Sequence, residues 1–218
     1  GGCRMKICVA ASVYSRTGVP LAQSRFARAL AEKGHDVDFI VGGIDVRYPD
    51  TEYPIIPGVN VIALGQTKVR NMLFPLCSYL RKVRPDVVFS AEDHFNGVFL
   101  LAAIVTGSRS KISGSSRVPP SDSYSNAVFS KRWFNKQFTR AVMWRADALT
   151  CVSNDMVEDY RHYFGTSAPH VGVHNIIVDE QSKARMLEPV DHEWLSERDF
   201  PLLVAAGTLT TRKGFADL

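Results

Sequence analysis

The sequence lacks a long hydrophobic run. Its longest candidate, residues 98–106, is about half of the roughly 18 apolar residues a membrane-spanning helix needs, and it reads as a buried helix. Paired cysteines are lacking too. Cys3, Cys8, Cys77 and Cys151 are scattered with no CxxC, and Cys8 and Cys151 fall inside apolar runs. That pattern fits reduced thiols in a cytoplasmic protein better than a disulfide framework or a zinc site. The six histidines show no metal-ligand spacing, so no metal is expected. Charge of one sign is scarce: 26 Lys+Arg against 22 Asp+Glu leave +4, too mild to point to nucleic acid without a local patch. Internal repeats and low-complexity tracts are missing. With 45% hydrophobic and 22% charged residues, disorder is excluded as the dominant state. Met5-Lys6 followed by residues 7–11 resembles a short signal core but runs into residues 12–16 with no small-residue cleavage pattern, so a first strand is expected. Gly1–Arg4 precede a natural-looking start at Met5.

What is present is alternation. Short apolar runs at residues 6–11, 36–41, 59–64, 86–91, 111–114, 148–152 and 170–174, with a last one at 202–206, read as strands. Most are continuous rather than alternating, as in strands covered on both faces of a parallel sheet. Helical patterns lie between them, at residues 20–33, 71–83, 95–105, 130–144 and 155–164. The first is the clearest: Leu21, Ala22, Phe26, Ala29 and Leu30 share one face, Pro20 suits the first turn and Gly34 the C-terminal cap. The pattern predicts an α/β fold, a doubly wound, mostly parallel, Rossmann-like sheet with right-handed crossovers. Residues 179–200 break the rhythm; they are polar, rich in acidic residues and carry Pro189, which reads as a linker or surface helix. The expected division is a domain over 1–200 and, over 201–218, a strand and loop beginning a second α/β domain.

Ligands of open parallel sheets bind beyond the carboxyl ends of the strands, so the loops there hold the candidates. In SVYSRTGVP (12–20), Gly18 sits just ahead of a helix whose free N–H groups can meet a phosphate or a sugar hydroxyl; it can equally ease a tight turn. This is not GxGxxG, and Gly42-Gly43 stand where a ribose-binding acid would, which disfavours a nicotinamide dinucleotide. In SAEDHFN (90–96), Asp93, His94 and Asn96 could do acid/base or hydroxyl-binding work, or Asp93 could cap the next helix while the others are solvated. In GSSRVPPSD (114–122), Arg117 could clamp an anion or be an exposed loop charge. Residues 130–140 carry Arg132, Lys136 and Arg140 four apart, opposite a stripe of Phe134, Phe138, Ala141 and Val142. Such a helix could lie on an anionic bilayer, or turn its stripe to the core and its basic row to water. In GTLTTRKG (207–214), adjacent Arg212 and Lys213 at a helix start suit a diphosphate.

Taken together these segments resemble a GT-B glycosyltransferase of glycosyltransferase family 4. The first strand, glycine loop and helix ending AEKGHDV (31–37) look like that family's opening, as does LRKVRPDVV (80–88) leading to Asp93-His94-Phe95-Asn96. RADALTCVSN (145–154), followed about twenty residues later by VHN (173–175), is the most distinctive match, and residues 207–214 resemble the start of the donor-binding domain. The likeness covers nearly the whole chain but only the first of two expected domains, the N-terminal half of a GT-B fold.

The resemblance implies transfer of a sugar from a nucleotide-sugar, often a UDP-sugar, to a glycan or lipid-linked acceptor held by this half. It implies retention of configuration, no cofactor, no obligatory metal and no nucleic acid. Gly18, Arg212 and Lys213 would meet the donor diphosphate. Asp93, His94, Asn96, Ser116, Arg117 and Asn175 would contact sugar or acceptor. The main glutamates would lie beyond Leu218, so these residues alone would not turn over substrate. The enzyme would be cytoplasmic, with peripheral contact at the inner membrane face. Two departures stand out: Thr208 replaces a frequent arginine, and Ser115-Ser116-Arg117 replaces a frequent histidine. A nucleotide-sugar epimerase of the same fold would gather carboxylates and histidine around Asp93 and His94; a non-catalytic nucleotide- or partner-binding domain is the third reading.

Overall fold

The computed structural model describes residues 3–165, 170–174, 180–192, 195, 201–207 and 214–217. Two compact units divide the chain, Gly1–Ile177 and Val178–Leu218. The division falls ahead of residue 200, where composition suggested it.

The first unit is a seven-stranded sheet of β1 (Lys6–Ala11), β2 (Asp36–Val41), β3 (Val59–Ala63), β4 (Val87–Ala91), β5 (Lys111–Ser116), β6 (Ala148–Cys151) and β7 (His170–Gly172). Every pairing is parallel and the order is β3-β2-β1-β4-β5-β6-β7. The helices are α1 (Gly18–Glu32), α2 (Leu73–Val83), α3 (Asp93–Thr106), α4 (Pro120–Ser123), α5 (Lys131–Val142) and α6 (Asn154–Phe164). In the second unit α7 (Glu180–Met186) is formed.

The continuous apolar strands are covered on both faces, as their composition requires. Ile7, Val9 and Ala11 of β1 pack with Val37, Phe39 and Val41 of β2 against the α1 side. Cys8, Ala10, Ile40 and Val88 face the other way, onto Leu76 and Leu80 of α2 and Phe95 and Phe99 of α3. A third cluster, Tyr124, Cys151, Met156, Tyr160 and Phe164, holds α6 to the sheet. The end of β2 passes so close to the β1 loop that a side chain at Gly42 would overlap Met72 and the Ser12 carbonyl. Steric need, rather than the ligand preference weighed from the sequence, accounts for glycine there.

Four details differ from the sequence reading. Helix α3 starts at Asp93 with Glu92 as its cap, and Asp93 does not cap it. Helix α4 was not expected. On α5, Lys136 is buried, donates to Asn126 Oδ1 at 2.6 Å and lies over the Tyr163 ring, while Phe134 is 54% exposed. The basic row is therefore not one solvated face. Residues 201–206 form no strand, and Leu203 and Val204 are exposed; an apolar run becomes a strand only where a neighbour offers it a ladder.

Inside the sheet, Asp38 is a buried carboxylate that accepts from Tyr79 OH at 2.7 Å, Lys6 Nζ at 2.8 Å and Asn60 Nδ2 at 3.0 Å. Lys6 also keeps Asp36 at 3.0 Å, so losing Asp38 chiefly strands the buried Tyr79 hydroxyl. Asp38→Ala is expected to cost about 1–3 kcal/mol, the desolvation penalty of an unmatched buried polar group. Urea unfolding of the two proteins measures it.

Candidate functional site at the strand switch point

The strand order reverses direction between β1 and β4, and a parallel sheet opens a crevice at the carboxyl ends of such a pair. Gln23 of α1 marks the place. Its Nε2 donates to the carbonyls of Ala10 on β1 (3.0 Å) and Phe89 on β4 (3.3 Å), and its Oε1 accepts from Arg117 at 3.3 Å. One amide thus joins both central strands to the β5 loop.

Around it the loops supply distinct groups. Gly18 opens α1 at φ +61, a conformation glycine adopts without strain, with open space where a side chain would stand. The first turn of α1 contains no acidic residue, and Thr17 makes no side-chain cap, so its N–H groups keep their attraction for an anion. At the end of β4, Glu92 holds φ +76, unusual for a residue with a side chain. Its carboxylate accepts from the Ser12 hydroxyl, and its own N–H donates to the Ser115 carbonyl at 2.9 Å. Arg117 is half-buried and its Nε has no hydrogen-bond partner among the described residues. Burial lowers the pKa of this guanidinium, an effect the charge of Glu92 opposes. A cavity of about 240 Å³ lies beside it, lined by Gln23, Phe26, Phe89, Ser115, Arg117 and His174. This arrangement offers amide donors, one carboxylate and one under-used guanidinium to a polar, anionic ligand.

The other candidates are placed differently. Asp93 is buried, with Oδ1 accepting from Ser116 Oγ at 2.6 Å and Oδ2 accepting from the Tyr160 hydroxyl. Burial raises the pKa values of the Tyr160 and Tyr124 phenols, and the Asp93 charge adds to it. Asn96 accepts from Ser90 Oγ at 2.7 Å and donates to the Ser115 carbonyl at 3.0 Å. Asp93, Asn96 and Ser116 are therefore bonded to protein groups in the interior, where the sequence suggested contacts to sugar or acceptor. His94 is exposed, so the carboxylate–histidine pair of the epimerase reading is not presented to one space. Asn175, Arg212 and Lys213 lie outside the described residues. Sequence reasoning passed over Ser12, Gln23 and Glu92. Glu92 stood inside a quoted motif, but its backbone angle has no sequence signature.

Among the described residues no group of three or more His, Cys, Asp or Glu side chains could hold a metal ion, and no helix is long and apolar enough to cross a membrane.

His170 on β7 packs its ring against Tyr160, centroids 4.5 Å apart, and its Nδ1 has no partner among the described residues. Burial lowers its pKa to about 4; the Asp93 charge opposes this and Arg161 reinforces it. The folded state thus favours neutral imidazole. The stability from that preference is complete above the ordinary histidine pKa of about 6.5 and is lost as pH falls towards 4. In that window unfolding free energy is expected to fall by up to about 1.4 kcal/mol per pH unit from this one proton. His170→Phe should flatten the slope, as read by urea unfolding at a series of pH values.

Three comparisons bear on this geometry. The model of the family described as Glycosyltransferase Family 4 matches residues 18–181. No curated protein matches the sequence. Among solved structures, HepE of Anabaena in complex with UDP is similar at 16% identity and a TM-score of 0.54, covering 84% of this chain and 49% of that one. Sucrose-phosphate synthase from Thermosynechococcus elongatus is similar at 14% identity and a TM-score of 0.58, covering 78% and 48%. The lipopolysaccharide outer core galactosyltransferase WaaB in its apo form is similar at 13% identity and a TM-score of 0.52, covering 78% and 45%. At such identities the likeness is one of fold. The chain spans about half the length of each of these proteins.

Proposed function

The chain belongs to glycosyltransferase family 4, and from that premise we propose that it is the N-terminal, acceptor-side half of a GT-B enzyme. In this reading the enzyme moves a sugar from a nucleotide-sugar, a UDP-sugar, to a glycan or lipid-linked acceptor with retention of configuration. The observation that carries it is the family match over residues 18–181, which takes in the uncapped start of α1, Glu92 and Arg117. The UDP held by the HepE neighbour supports a uridine nucleotide as donor.

In mechanism, the first-turn amides of α1 at Gly18 receive a diphosphate oxygen, where the helix dipole favours negative charge. Arg117 faces an anionic group or a sugar hydroxyl with its unused Nε–H. Glu92 accepts from a hydroxyl of the acceptor. Arg212 and Lys213 remain the cations proposed to offset charge on the departing nucleotide, and Asn175 a contact to sugar. The cavity of about 240 Å³ is smaller than the roughly 300–1,000 Å³ that encloses a drug-sized ligand. The chain spans about half the length of these solved neighbours, which supports the proposal that these 218 residues do not turn over alone.

The test is UDP release from UDP-hexoses, with and without a lipid-diphosphate sugar, by the full-length protein and by these 218 residues. Acceptor-dependent release with a glycosylated product, by the full-length protein only, is expected. Release without such a product overturns the transferase assignment in favour of hydrolysis or epimerisation, and no release from any UDP-hexose overturns the donor.

The enzyme is further proposed to be cytoplasmic and to touch the inner membrane face through the start of α5. Phe129 is 80% exposed, and its ring lies 5.9 Å from that of Trp133 and 6.5 Å from that of exposed Phe134. Lys131, Arg132 and Arg140 are exposed on the same helix. Aromatic rings beside cations suit an anionic bilayer surface. Phe129→Ser with Phe134→Ser is expected to lower partitioning onto phosphatidylglycerol vesicles about thirtyfold or more, since each ring carries about one to two kcal/mol of transfer energy, with the melting temperature unchanged. Vesicle sedimentation beside thermal unfolding reads both.

A further inference from the structure

A second cavity of the first unit lies at the amino ends of the strands, away from the switch point. It measures about 430 Å³ and sits between the C-terminal ends of α2 and α3, at the start of β4 and β5. Its lining includes Arg81, Arg84 and Arg109, with Asp86 as the one carboxylate.

The basic residues at this end fall into two groups. Lys6 is paired with Asp36 and Asp38 at 3.0 and 2.8 Å, and Lys111 and Arg145 share Asp147 at 2.9 and 3.2 Å. None of these lines the cavity. The three arginines that do line it form no ion pair among the described residues. Arg84 Nε donates to the Arg81 carbonyl at 3.3 Å, and its terminal nitrogens have no partner there. Asp86 is already engaged, accepting the Lys6 backbone N–H at 2.7 Å. Two helix C-termini contribute roughly half a negative charge each. Three full guanidinium charges outweigh them together with Asp86, so the cavity is positive.

The wall is also fixed. Ser110 Oγ donates to the Pro85 carbonyl at 2.5 Å, and Arg145 donates to the carbonyls of Ser108 and Ser110 at 2.7 and 2.9 Å. The loop that carries Arg109 is thereby tied down before any ligand arrives, which lowers the cost of binding. Both helices close with a left-handed residue: α3 with Gly107 at φ +61, α2 with Arg84 at φ +50. Glycine takes that angle freely and arginine only with strain.

We infer that this cavity is an anion site for a phosphate or diphosphate group, separate from the crevice at the carboxyl ends of the strands. Guanidinium forks match phosphate oxygens in geometry and charge. The volume admits a phosphate with an organic group attached. A free phosphate ester and a phospholipid headgroup present the same chemistry.

The inference does not depend on the proposed activity, and its test needs none. Inorganic pyrophosphate is titrated into the ¹⁵N-labelled chain at low salt while backbone amides are followed by NMR. Saturable shifts at residues 81–86 and 107–110 are expected. Arg81→Gln combined with Arg109→Gln, both exposed positions, is expected to weaken that binding about tenfold or more with thermal stability retained. Arg84→Gly is expected to weaken binding while raising the melting temperature, as the left-handed angle is relieved. Sedimentation with phosphatidylglycerol and phosphatidylcholine vesicles identifies the source. Binding to the anionic vesicles that the double variant abolishes points to a headgroup, and vesicle binding left unchanged points to a free phosphate. No saturable shift at these residues with millimolar pyrophosphate, or equal affinity in the double variant, overturns the inference.

Discussion

A parallel sheet whose chain leaves the centre in both directions leaves one crevice unclosed. Here β1 hands the chain towards β2 and β3, and β4 hands it towards β5, β6 and β7. No connecting segment can cover the gap between the carboxyl ends of β1 and β4, because each moves away from it. The polar groups around that gap are the uncapped start of α1, Glu92 in its costly backbone angle, and the guanidinium of Arg117. Gln23 holds the gap at fixed width through both strand carbonyls.

Beside the crevice, Asp93 does a different job. Its two oxygens collect hydroxyls from Ser116 at the end of β5 and Tyr160 in α6, joining α3, β5 and α6. A buried carboxylate is costly unless its lone pairs are matched. The match here fixes where β5 ends and therefore where Arg117 begins. The same negative charge reaches the Cys151 thiol, whose pKa burial and then Asp93 push up to about 12. That thiol stays protonated and behaves as a small apolar side chain. The site is thus supported by a polar network that is not itself available to a ligand.

Much of this was legible in the sequence. Doubly covered strands must be apolar throughout, so β1, β2 and β4 announced themselves, and Gly34 closes its helix as chain stereochemistry requires. Periodicity does not say which neighbour will meet a face. On α5 the stripe carrying Phe134 was left open between bilayer and core, and the burial of Lys136 was not foreseen, because the Asn126 side-chain carbonyl and the Tyr163 ring that cover it come from other segments. The contacts of Asp93 were not foreseen for a similar reason: its partner Tyr160 lies 67 residues away. Glu92 was missed because positive φ at a non-glycine residue leaves no mark on composition. The run at 202–206 is apolar enough for a strand and lacks a ladder to join.

The placement of unmatched groups gives the clearest division of labour. The middle of the sheet leaves almost nothing unpaired; Asp38 alone satisfies three donors. Among the described arginines without an ion pair, Arg117 lines a cavity at the carboxyl end and Arg81, Arg84 and Arg109 line one at the amino end. A fold selected for stability alone would neutralise or discard such charges, since exposed pairs cost little to form and removing one half-buried cation spares its desolvation. Lys111 and Arg145 show that acceptors can be supplied at the amino end: Asp147 serves both. These four arginines stand beside cavities, and a cation beside a cavity is available to whatever anion enters it. By that criterion the two ends of this sheet are alike.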